Sequence, residues 1–81
     1  MDATTYTTEE KPGWYANAHS VVYVTKAGRP YLMFGPDLED APQALHGFDA
    51  AENNCEPISE DDLRDTDQLL LDQADEIEAN A

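Results

Sequence analysis

SEDDLRDTDQLLLDQADEIEANA, residues 59–81, decides the fold, because its apolar and acidic residues separate cleanly at helical spacing. Leu63, Leu70, Ala74 and Ile77 fall on one side of a helix, with Leu69 and Leu71 at its flanks. At about 100° per residue, Asp61, Asp65, Asp72 and Glu76 line the opposite side, with Asp75 at its edge. Ser59 reads as the N-cap, and Asp62 stands three residues on, where a capping box has its acidic partner. Glu60, Asp61 and Asp62 crowd the first turn, where the helix dipole favours negative charge. Nine acids and a single base, Arg64, share these 23 residues. The spacing predicts one long amphipathic helix with a carboxylate-coated outer face.

Upstream, the pattern changes from helical to extended. Residues 3–8 are Thr-rich and read as an edge strand or an arm, and the Pro12-Gly13 pair marks a turn. Within residues 14–25, His19-Ser20-Val21-Val22-Tyr23-Val24 is β-branched and aromatic, the composition of a strand. Lys26-Ala27-Gly28 predicts a hairpin loop in which Gly28 takes positive φ. Tyr31 to Phe34 is then the return strand, opened by Pro30, which need not donate to the ladder there, and ended by Gly35-Pro36. Residues 36–58 read as an acidic loop region. In it, residues 42–46 predict one helical turn, Phe48 a core anchor, Asn53-Asn54 a turn, and residues 55–58 a short extended piece. A two-stranded hairpin is marginal alone, so the helix must cover one of its faces. The expected fold is α+β in a single domain over residues 1–81: a small antiparallel sheet of two to three strands packed against one long acidic C-terminal helix.

Composition sets the conditions for that fold. Leu, Ile, Val and Phe number 14 of 81 residues, and the net charge is −14, which together approach the composition of a disordered chain. Seven aromatic residues and the periodic clustering of the apolar ones argue for a folded chain with little stability to spare. The charge is also unevenly placed. Residues 1–35 hold three acids and three bases, whereas residues 36–81 hold 15 acids against Arg64 alone. No apolar run approaches the ~20 residues that span a bilayer, and Met1-Asp2-Ala3-Thr4 lacks the basic-then-apolar order of a signal peptide. These features predict a cytoplasmic protein.

Residue types for catalysis are sparse. Cys55, His19 and His46 form no local motif of a nucleophile pair, and Cys55 reads as a small buried apolar residue. Asp37, Glu39, Asp40 and Asp49 lack the alternating ligands and central glycine of a calcium loop. The expectation is no enzyme, no cofactor and no metal. Four bases against 18 acids exclude direct nucleic-acid binding by charge neutralisation, and anionic membranes would repel the chain as well.

An electrostatic partner of this chain should instead be basic. On an unbroken helix, Asp61 and Glu76 stand about 22 Å apart at ~1.5 Å per residue. Four acids over that length cover roughly every second phosphate of a nucleic-acid strand, which presents one per ~3.4 Å. Asp62, Asp67, Asp75 and Glu78, with Asp37, Glu39 and Asp40 from the loop, would thicken the row into a band. The function this predicts is non-enzymatic: an acidic inhibitor that mimics nucleic-acid charge on the basic surface of a nuclease, a CRISPR effector or another nucleic-acid-handling protein. In size, acidity and charge layout alone the chain is similar to small phage-encoded inhibitors of host defence, anti-CRISPR and anti-restriction proteins. That likeness implies action in a host bacterial cytoplasm. Three alternatives stand beside it. One is an acidic immunity protein or antitoxin that caps a toxin nuclease. Another is a small domain adapted to high salt. The third is an adaptor or homodimer joined through Leu63, Leu70 and Ile77.

Overall fold

The computed structural model describes residues 8–36, 42–66 and 68–80, with the backbone alone at residues 65 and 66. Its fold is α+β, as expected, but the antiparallel sheet has five strands. They are β1 Gly13–Ala16, β2 Val21–Val24, β3 Pro30–Phe34, β4 Gln43–Ala44 and β5 Glu56–Ile58, in the order β4-β3-β2-β1-β5. Helix follows the sheet, as expected, described as α1 Glu60–Thr66 and α2 Gln68–Ala79; residue 67 between them lies outside the described residues. The radius of gyration is 11.9 Å, close to the ~12 Å of a compact chain of this length. The large negative charge therefore does not keep the chain expanded.

The sheet grows from a meander. Residues 14–25 were expected to hold one strand running through His19 and Ser20, but they supply β1 and β2. Asn17 separates them: its Oδ1 accepts the backbone N–H groups of His19 and Ser20, both at 2.7 Å, which turns the chain before Val21. Trp14 then pairs with Tyr23 and Tyr15 with Val22. The β2–β3 loop follows the expectation. Thr25 and Arg29 close it by a 2.9 Å backbone hydrogen bond, and Gly28 takes φ +83°, which a side chain would resist. Residues 42–46 were expected to form a helical turn and instead hold β4, with Tyr31 opposite Ala44 and Leu45 N–H bonded to Pro30 O. The open edge of β3 offers these residues ladder partners that an isolated turn lacks. Residues 56–58, the expected extended piece, close the other edge as β5 against β1.

Side-chain alternation sends the two faces of the sheet into two cores. Trp14 and Met33 face the helices and pack with Leu63, Leu70, Leu71 and Ala74; Tyr23, Tyr31 and Ile77 border this core. Tyr15, Val22 and Val24 face the other way, against Ala50, Cys55, Leu45 and Phe48. Phe48 is thus the anchor the sequence suggests, its ring edge-on to Tyr15 at 5.3 Å. The segment carrying it is a single capped helical turn. Asp49 Oδ1 accepts from Ala51 and Glu52 N–H at its start, and Asn54 ends it in the left-handed region, with Cys55 N–H reaching Ala50 O. Leu71, expected at the flank of the apolar stripe, is buried, whereas Leu69 on the other flank is 62% exposed. Among the described residues no helix is long and apolar enough to cross a membrane.

Candidate functional site

α1 begins where the sequence places it. Ser59 Oγ accepts the Asp62 backbone N–H at 3.2 Å, an N-cap that leaves the first-turn acids pointing outward. Asp61 and Asp62 are exposed, and Asp61 Oδ1 meets Arg64 Nη1 at 2.8 Å. Asp65 belongs to α1 by its backbone. On α2, Asp72, Asp75 and Glu76 are all exposed, and Asp72 accepts a long 3.4 Å hydrogen bond from Gln68. Asp37, Glu39 and Asp40 lie outside the described residues, as do residues 3–7 of the expected N-terminal strand.

The docking of α2 turns the expected single row of acids into a convex band. Leu70, Leu71 and Ala74 face the sheet, so Asp72 stands at the crest. Asp75 and Glu76 occupy opposite shoulders: Asp75 lies beside Trp14 and Tyr23, and Glu76 beside Tyr31 and Arg29. The 22 Å estimate runs across residue 67, which lies outside the described residues. Leu63 and Leu70, the candidate dimer seam, are buried in the chain's own core, and Ile77 is half-buried beside them.

Three other acids hold the fold together, a role the sequence did not show. Glu78 Oε2 accepts from the Tyr23 hydroxyl at 2.5 Å and from Lys26 N–H at 3.0 Å. Glu10 Oε2 accepts from Ala50 N–H at 2.6 Å, and Asp49 caps the turn that follows it. The remaining exposed acids reach beyond the helices, to Glu9, Glu52 and Glu56.

Among the described residues, two concavities border α2. On the Asp75 shoulder, a crevice of about 110 Å³ is lined by Trp14, Tyr23, Glu60, Arg64, Gln68 and Asp75, among others. The Trp14 and Tyr23 rings form an aromatic pair there, with centroids 4.6 Å apart. Trp14 is only 4% exposed, and its Nε1 has no hydrogen-bond partner among the described residues. Burial pushes the Tyr23 phenol above its usual range, as do the hydrogen bond to Glu78 and the negative charges of Glu78, Glu60 and Asp75. On the other shoulder, a shallower groove of about 380 Å³ runs between Arg29, Tyr31, Gln73, Glu76, Ile77 and Asn80.

The opposite face of the sheet holds a cavity of about 280 Å³, bordered by Val22, Leu32, Leu45, Phe48, Cys55 and Asn17. Cys55 is buried, and that burial pushes its thiol pKa up, against a smaller lowering by Asn17. A raised pKa keeps it a neutral thiol rather than a nucleophile at neutral pH. His19 and His46 are exposed. Among the described residues, no three His, Cys, Asp or Glu side chains converge as a metal set. The chain matches no protein-family model and is detectably similar to no curated protein and no solved structure.

Proposed function

We propose that the protein acts without catalysis, by presenting the outer band of α1 and α2 to a basic surface that otherwise binds DNA or RNA. The observation that supports this reading is the outward array of Asp61, Asp62, Asp72, Asp75 and Glu76, held on helices whose apolar side is already buried. Arg64 is the only Lys or Arg within residues 59–81. Acids at i and i+4, such as Asp72 and Glu76, repel one another and weaken the helix, so the array acts against local stability. A target lined with Lys and Arg relieves that repulsion, and its charge steers association.

The test compares the tagged protein with an Asp62→Lys, Asp72→Lys, Glu76→Lys variant. Wild type should retain a basic nucleic-acid-binding protein, release it as salt rises, and lose it to added DNA or RNA. The variant should retain none. Equal capture by both proteins, or capture indifferent to nucleic acid, would sink the proposal.

A second reading, hydration of the surface at high salt, is favoured by the spread of exposed acids to Glu9, Glu52 and Glu56, away from the helical band. It requires no partner and makes a different prediction about salt, taken up below.

A further inference from the structure

An open sheet invites its own copies, because each outer strand presents unpaired N–H and C=O groups. Among the described residues no strand lies beyond β4 at one edge or β5 at the other. The register fixes which backbone groups face outward there. Asn17 N–H bonds to Ser20 O on the β2 side, and backbone direction alternates along a strand, so Tyr15 also faces β2 while Trp14 and Ala16 face β5. Their partners Ile58 and Glu56 therefore turn their backbone groups inward, and Pro57, opposite Tyr15, turns its own outward. The one residue of β5 that faces the open edge thus has no N–H to offer. Its neighbours are already engaged: Cys55 N–H bonds to Ala50 O at 2.8 Å, and Ser59 O accepts from Leu63 N–H at 3.2 Å. Glu56 and Pro57 are both exposed, so a carboxylate stands beside the proline on the same edge. At the far edge, Leu45 N–H bonds to Pro30 O, which places Gln43 inward and leaves Ala44 facing out, with Pro42 just before it.

We propose that Pro57 keeps the protein a single copy by denying a second copy the donor at the centre of the β5 edge. The pairing it prevents is specific. Two β5 strands related by a two-fold axis through residue 57 would exchange a pair of N–H···O=C bonds there and join their sheets into one. With proline at that position neither bond forms. Leu63 and Leu70 are buried in the chain's own core, so the sheet edge, and not the helix seam, is where self-association has to be refused. Whatever the acidic band binds, it binds from a monomer.

The test is sedimentation equilibrium of the full chain in 1 M KCl, where a Debye length of about 3 Å leaves little repulsion between copies. Wild type should keep the monomer mass from micromolar to millimolar concentration. Pro57→Thr, which supplies the donor and a strand-forming side chain, should rise toward twice that mass as concentration increases. The new amide at position 57 should then exchange with solvent more slowly in the dimer than in dilute solution. Pro57→Ala supplies the same donor without a branched side chain and should dimerise more weakly. Glu56→Gln, which removes the edge charge but leaves the proline, should stay monomeric. Dimerisation of wild type, association of Glu56→Gln equal to that of Pro57→Thr, or a monomer mass for the proline variants at every concentration overturns the proposal. None of these outcomes touches the reading of a basic partner, which is tested by capture.

Discussion

Near the end of α2 a glutamate carboxylate stands where the helix dipole disfavours it, and two donors from another part of the chain hold it there. The Tyr23 hydroxyl and the Lys26 N–H both point at Glu78 Oε2, pinning the end of the helix to the β2–β3 hairpin. The consequence for pH follows from the phenol. Tyr23 is held above its usual range in the folded state, by burial first and then by Glu78, Glu60 and Asp75. Its contribution to stability is therefore present in full below the unfolded value near 10 and is lost progressively as pH rises above it. Urea unfolding between pH 8 and 11.5 should show stability falling above pH 10, and Tyr23→Phe should fall less steeply while being less stable at pH 8. An identical alkaline slope in the two proteins would remove Tyr23 as the cause. This latch was not legible in the sequence, because its partners lie 55 and 52 residues from Glu78. By position alone, Glu78 is one more acid on an acidic helix.

Among the elements, α2 depends most on its buried seam. Leu70 is packed in the core between sheet and helices, so Leu70→Ala should cost about 2–5 kcal/mol. With total stability on the order of 5–15 kcal/mol, chemical denaturation should show a chain close to unfolding. A loss below 0.5 kcal/mol would mean that the seam is not core. The seam was legible because helical periodicity is a local property, and Ser59 was legible for the same reason: a cap contacts residues one turn away. The Gly28 loop belongs with them, since its conformation is set within five residues. β4 and β5 were harder to read. Two exposed residues, Gln43 and Ala44, become a strand only because β3 has an open edge beside them, and nothing in their own composition says so. Asn17 was the legible signal that was missed, an Asx turn in the middle of an otherwise β-rich run. Of the candidate surface, the helical acids were readable from spacing. Their division between a crest and two shoulders depended on how α2 lies across the strands.

For the molecule as a whole, salt separates the two functional readings. A chain carrying −14 repels itself, and added salt screens that repulsion, with a Debye length of about 10 Å at 0.1 M and 3 Å at 1 M. If the acids serve a partner, the melting temperature should rise over the first few hundred millimolar of KCl and then level off. A rise that continues steadily through 3 M KCl would favour surface hydration and count against the inhibitor reading. The compactness of the chain despite its composition has a plain cause. Both faces of one small sheet are covered, so few apolar residues are left outside: Phe34 and Leu69 are the large exposed ones among the described residues.

That double cover also bears on how the protein is made. The meander of β1, β2 and β3 ends at Phe34, inside the half of the chain with no net charge. Its two coverings, the turn around Ala50 and the helices after Ser59, both come later, in the part of the chain that holds 15 of the 18 acids. During synthesis, this sticky part, which has no net charge, thus emerges before its coverings, bare on both sides. The residues that hide it are also the ones that make the finished molecule repel its neighbours. Hydrophobic shelter and colloidal protection arrive together with the second half of the chain, so a chain interrupted near residue 36 has neither.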